Sequence, residues 1–217
     1  MSLPSRPLLF ALALLIAACA DAPAPEPASA EAPTTDVATA PSPSGPGRAV
    51  AQIAEVDGSG VTGSVEFVDL GDAVEVRYNL SGLTPGEHGF HLHQTGACGP
   101  DSTGTPAGAA GGHFNPLSSE HGAPSAAPAQ RHAGDLGNIL AEATGQALGV
   151  RNDSVLSFEG PTAILGKAVL VHGGTDDLTS QPSGDAGPRV GCGVISEVAS
   201  RSETGNLGEG PIEGIEP

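Results

Sequence analysis

The chain has 217 residues and a formal charge of −17, with no Trp, one Tyr and five Phe against 32 Gly and 20 Pro. So acidic a balance excludes nucleic acid as a partner, since phosphates require clustered Lys and Arg, and it disfavours adhesion to anionic lipid by charge alone. Short runs of Val, Ile and Leu between Gly- and Pro-rich stretches fit an all-β domain with an aliphatic core and long loops.

Residues 1–18 read as a signal peptide: Arg6 supplies the positive start, Leu8 to Ile16 the apolar run, and Ala17 and Ala18 the small residues before the cut. The run falls short of the roughly twenty residues a transmembrane helix needs. Its end, Leu15-Ile16-Ala17-Ala18-Cys19, resembles the bacterial lipobox, a signal in which the Cys is acylated and becomes the new N-terminus. Ordinary cleavage nearby with an incidental Cys is the alternative. The first reading makes the protein an exported lipoprotein, periplasmic or at the cell surface, anchored to a membrane through Cys19. Residues 19–48 are then the acylated Cys followed by a disordered Ala/Pro-rich spacer. Residues 49–199 form one domain of common size, and residues 200–217 a disordered acidic, Gly-rich tail with no assigned role.

Within the domain, Val74, Val76, Tyr78 and Leu80 alternate with Glu75, Arg77 and Asn79, the period-two signature of a half-buried strand. Ala49 to Val56 and Ser64 to Val68 have similar content, and Asp57-Gly58-Ser59-Gly60 and Leu70-Gly71-Asp72 are turn signals, which together predict a meander. Further strands are expected at Gly86 to His93, Asn138 to Ala143, Ala147 to Asn152, Lys167 to His172 and Arg189 to Ile195. Eight antiparallel strands point to a flattened Greek-key barrel or sandwich of immunoglobulin-like architecture. Two long connections, Gly96 to Gly134 and Gly173 to Pro188, are of the length that is usually functional.

Histidine is confined to this domain: His88, His91, His93, His113, His121, His132 and His172 are the whole supply. His91 and His93 on one strand face the same way, about 6.6 Å apart at Cα, and can chelate one metal. His113, His121 and His132 with Asp135 make a four-ligand set suited to tetrahedral zinc. Imidazoles without thiolates also suit Cu(II). Cys98 and Cys192 lie inside the domain, so an exported chain can form one disulfide with Cys19 requiring another explanation.

Four stretches resemble the copper–zinc superoxide dismutase family, in its bacterial exported form. They are Gly86-Glu87-His88-Gly89-Phe90-His91-Leu92-His93, Gly111-Gly112-His113-Phe114-Asn115-Pro116, His132-Ala133-Gly134-Asp135-Leu136-Gly137-Asn138 and Gly187-Pro188-Arg189-Val190-Gly191-Cys192-Gly193-Val194-Ile195. The resemblance spans about Ala49 to Glu197. It implies copper ligands His91, His93, His113 and His172, and zinc ligands His113, His121, His132 and Asp135, with His113 bridging the two metals and passing a proton. It implies that Asp176 links a copper histidine to a zinc histidine, that Arg189 holds the anionic substrate, that Cys98 pairs with Cys192, and that His88 is structural. The implied reaction is conversion of superoxide to dioxygen and hydrogen peroxide by Cu(II)/Cu(I) cycling, with a non-catalytic metal carrier on the same fold as the rival reading. Members occur as monomers and as homodimers, and the sequence does not choose between them. Two departures stand out: the Gly99 to Gly112 stretch is longer than in eukaryotic relatives, and Gly173 to Pro188 has three acids and no Lys or Arg. The second departure predicts weak electrostatic steering.

Overall fold

The structure, a computed structural model, describes residues 47–198. The expected signal peptide, Cys19 with its spacer as far as residue 46, and the tail lie outside the described residues. Among the described residues nine strands occur in chain order: β1 (Arg48–Glu55), β2 (Thr62–Asp69), β3 (Val74–Ser81), β4 (Gly86–His93), β5 (Asp135–Ala141), β6 (Ala147–Asp153), β7 (Ala168–His172), β8 (Arg189–Val194) and the two-residue β9 (Ser196–Glu197). The first eight pair antiparallel in the order β5-β4-β7-β8-β1-β2-β3-β6, and β9 adds to β1. Eight expected strands are therefore present. The main shift is at β5, which begins at Asp135, three residues before the expected Asn138. Beyond the two expected long connections, residues 154–167 form a third, which buries Val155, Leu156 and Ile164 in the core.

β5 and β6, the two ends of the strand order, are joined by a side chain. Arg151 on β6 donates to the carbonyl oxygens of Leu136 and Asn138 on β5, and its guanidinium lies 5.8 Å from the Tyr78 ring. The result is a nearly closed antiparallel Greek-key barrel.

Period-two alternation divides the strands between two environments. Phe90 and Leu92 of β4, with Val169 and Val171 of β7, enter the main core beside Phe67, Val76 and Leu136. The residues between them, His91 and His93 on β4 and Ala168, Leu170 and His172 on β7, face outward. They are nevertheless buried, because the long connections cover that face; a smaller apolar cluster of Ala107, Ala110, Ala168, Leu170 and Cys192 seals one of these connections onto the sheet. The histidines thus occupy a layer between barrel wall and loops, outside the aliphatic interior.

Candidate metal centre

β4 supplies the first two histidines. It pairs with β7 so that His91 opposes Leu170 and His93 opposes Ala168, leaving His172, at the end of β7, close to His91 with ring centroids 5.0 Å apart. A register shift between Gly89 and His91 sets Asp135 of β5 opposite His91. An isolated bridge between His93 and His113 draws the connecting segment against β4. These pairings gather two sets of buried side chains, His91, His93, His113 and His172, and His113, His121, His132 and Asp135. Within each set the candidate ligand atoms lie within 4.8 Å of one another. Among the described residues, His113 alone belongs to both.

In the first set one ring nitrogen of each strand histidine is tied down and the other is free. His91 donates from Nε2 to Asp176 Oδ2 at 2.8 Å, His93 from Nδ1 to Gly111 O at 2.8 Å, and His172 from Nδ1 to Gly187 O at 3.1 Å. These partners fix the tautomers. The opposite nitrogens, His91 Nδ1, His93 Nε2 and His172 Nε2, together with His113 Nε2, are buried with no hydrogen-bond partner. Four convergent lone pairs without donors are costly for a protein to bury, and a bound cation satisfies all of them. Burial keeps the three strand histidines neutral, as metal ligation requires: it lowers His91 to about 4 and His172 to about 3, and holds His93 well below the usual value.

The second set is organised by a charge. Asp135 Oδ1 lies 2.7 Å from His113 Nδ1, 3.0 Å from His121 Nδ1 and 3.2 Å from His132 Nδ1. The His121 contact lacks hydrogen-bond alignment, so that buried nitrogen too is without a partner. Three imidazoles crowding one oxygen fit a small cation of tetrahedral preference held among all four. Asp135 Oδ2 is fixed from behind by the backbone N–H groups of Gly122 and His132. Burial pushes the Asp135 carboxyl up, but the His113 hydrogen bond and the close His121 imidazole outweigh it and hold the group below the carboxylate range. Burial lowers His121, but the carboxylates of Asp135 and Asp176 prevail and raise it to about 9. Burial lowers His132.

Asp176 joins the sets. Its Oδ2 accepts from His91 and its Oδ1 from His121 at 3.0 Å, so one carboxylate orients a histidine of each. Arg189, at the start of β8, donates from Nη1 to Ala107 O and from Nη2 to Gly111 O, and opens onto a cleft shared with His93, His113 and His172. Gly111 O therefore serves both His93 and Arg189. That residue has φ 75 and ψ −154, a region that favours glycine. A disulfide joins Cys98 to Cys192 with 5.7 Å between Cα atoms, tying the same connection to β8. His88 lies in neither set; its ring meets the carbonyls of His172 and Thr84.

Three supporting residues have no role in the sequence reading. Asn138 grips the Asp176 backbone with both ends of its amide, donating to Asp176 O and accepting from Asp176 N at 2.8 Å each. Arg131, buried beside His132, donates to the carbonyls of His132, Ala133 and Asp135 and to Asp153 Oδ2 at 2.6 Å. Asp153 in turn accepts from the Val155 and Leu156 N–H groups. Asn138 was visible inside a quoted motif, but nothing in the spacing marked Arg131 or Asp153.

A Greek-key barrel carrying two adjoining four-ligand sets on its outer wall defines a class of dinuclear metalloprotein. The sequence profile described as Copper/zinc superoxide dismutase (SODC) matches residues 61–195. Copper–zinc superoxide dismutase 2 of Mesembryanthemum crystallinum is 42% identical over 161 residues, covering 70% of this chain and 97% of its own. The Candida glabrata copper–zinc superoxide dismutase is 44% identical over 156 residues, 67% of this chain and 97% of its own. A Caenorhabditis elegans protein named as the extracellular enzyme is 40% identical over 145 residues, 64% of this chain and 62% of its own. The chain belongs to the copper–zinc superoxide dismutase family.

Proposed function

We propose that the protein dismutes superoxide, 2 O₂⁻ + 2 H⁺ → O₂ + H₂O₂. Copper would be held by His91 Nδ1 and by Nε2 of His93, His113 and His172; zinc would be held by Nδ1 of His113, His121 and His132 and by Asp135. The observation that carries this reading is the sharing of His113 between two otherwise complete ligand sets. Bound copper supplies a one-electron Cu(II)/Cu(I) cycle, which redox-inert zinc cannot. The protein's own side chains do the rest. Arg189, braced by two carbonyls, presents a fixed positive charge to an entering anion. His113 Nε2 takes up a proton in one half-reaction and gives it to the departing peroxide in the other, while its Nδ1 side stays anchored in the Asp135 cluster. Asp176 keeps the His91 and His121 rings from rotating.

The test is superoxide loss by the full chain loaded with copper and zinc. Activity that requires copper, falls at least about 100-fold in His172→Ala and falls about 10-fold or more in Arg189→Ala supports the assignment, ligands being worth more than outer partners at 10–100-fold. Both metals bound without turnover would make the protein a metal carrier.

We also propose that the protein is exported and held to a membrane by a lipid on Cys19, in the bacterial manner. The apolar run ending at Cys19 supports this, and relatives from Caenorhabditis elegans and Haemonchus contortus are named as extracellular enzymes. Incorporation of labelled fatty acid that disappears in Cys19→Ala, with release of the protein from the membrane fraction, would bear it out; equal labelling of the variant would refute it.

A further inference from the structure

The connection that anchors Arg189 also brings a negative charge into the same cleft. Asp101 lines it together with Arg189, His93 and His172. Its carboxylate is not a loose surface group: Oδ1 accepts from Thr103 N at 2.8 Å, Thr103 Oγ1 at 2.6 Å and Thr105 N at 3.0 Å. Those hydrogen bonds hold the carboxyl down at about 2, so it is ionised throughout the physiological range. The other oxygen is pressed against Gly108, where an added Cβ would come within 2.5 Å of Asp101 Oδ2. Gly108 lies between Ala107 and Gly111, the two residues whose carbonyls brace the guanidinium. Burial lowers the Arg189 guanidinium, and the Asp101 charge partly offsets this, as a carboxylate within Coulombic reach must.

We infer that Asp101 sets the anion affinity of this cleft: its pinned carboxylate opposes the pull of Arg189 on small anions and lowers both their affinity and the rate at which they enter. The inference rests on the proposed dismutase reading for its substrate, but its physical content concerns any small monoanion. An opposing charge lining the same solvated cleft changes affinity by about two- to threefold, and the effect is screened by salt. The screening length is about 30 Å at 0.01 M and about 3 Å at 1 M ionic strength.

The experiment compares the copper- and zinc-loaded full chain with Asp101→Asn, Asp101→Glu and Asp177→Asn. Asparagine keeps the Oδ1 acceptor while removing the charge, and glutamate keeps the charge. Asp177→Asn changes net charge equally on the other loop, where Asp177 is likewise pinned by Thr179 and Ser180. Azide binding, read by visible absorption, should tighten about two- to threefold in Asp101→Asn at low salt, stay near the unaltered protein in Asp101→Glu and Asp177→Asn, and converge for all four at high salt. Superoxide turnover under the same conditions should rise by a similar factor in Asp101→Asn. Unchanged azide affinity in Asp101→Asn, or an equal gain in Asp177→Asn, overturns the inference while leaving dismutation standing. Tighter azide binding in a protein that does not dismute superoxide would overturn the functional reading and leave the role of Asp101 intact.

Discussion

The first candidate set draws His91 and His93 from β4 and His172 from the end of β7, whereas the second takes His121 and His132 from the connection between β4 and β5 and only Asp135 from a strand. The strand set is held by backbone register and made ready by burial: its rings are neutral, each with one nitrogen bonded and one free. The loop set is held by charge, three imidazoles drawn around one carboxylate. A strand places a ligand without help from neighbouring charges. A loop needs a counter-charge and bracing from outside, which Asp135, Asp176 and Arg131 supply. Each half should therefore fail differently when its own support is removed.

The largest effect is expected from Cys98→Ser. The bridge spans 94 residues of sequence, and a loop of that size gives about 4–5 kcal/mol in the chain-entropy model. Denaturant unfolding of the variant should show that loss, and the unaltered protein should show it on adding reductant. A loss below about 1 kcal/mol would mean that the cluster of Ala107, Ala110 and Leu170 holds the connection by itself.

Arg131→Met attacks the loop set. It strips three backbone carbonyls of their donor and leaves Asp153 buried without its cation, a change that typically costs about 3–5 kcal/mol. Zinc affinity should fall well beyond copper affinity, because the freed carbonyls belong to His132, Ala133 and Asp135. Equal losses for both metals would show that the halves are not independently supported. Asn138→Ala supplies the contrast, since the Asp176 it grips braces one histidine of each set. Both affinities should drop together, by about 10–100-fold as for other outer hydrogen-bond partners.

Alternation of Val74, Val76 and Leu80 with outward polar residues gave β3 to within a residue, because one face is buried and the other wet. β5 was misjudged at its start: Asp135-Leu136-Gly137 reads as a loop, with a carboxylate and a glycine at strand-disfavoured positions. There the register shift beside His91 overrides propensity. The gathering of histidines was legible because all seven lie in one domain and six of them fall in the two candidate sets. Apart from Asp176, their supports were not, since Arg131 and Asn138 act through backbone carbonyls and amides, and no spacing rule records such a partner. The ninth strand, two residues long, carries no pattern at all.

Acid–base behaviour separates the halves most finely. The pKa of His91 and that of His172 are depressed by burial to about 4 and about 3, so the unfolded chain takes up these protons first. Their contribution to stability is complete above the usual 6.5 and is lost as pH falls toward 4 and 3. His121 behaves oppositely. Raised to about 9 by Asp135 and Asp176, it stabilises the metal-free fold fully below 6.5, and that contribution disappears as pH rises through 9. A metal entering the loop set at neutral pH must displace the His121 proton, while one entering the strand set displaces none from His91, His93 or His172. Calorimetric titration of metal-free protein in buffers of different ionisation enthalpy should therefore show about one proton released per zinc near pH 7, shrinking as the buffer passes His121's own range. Copper added alone should release far fewer. Equal release by both metals would remove the distinction between a half built by burial and a half built by charge.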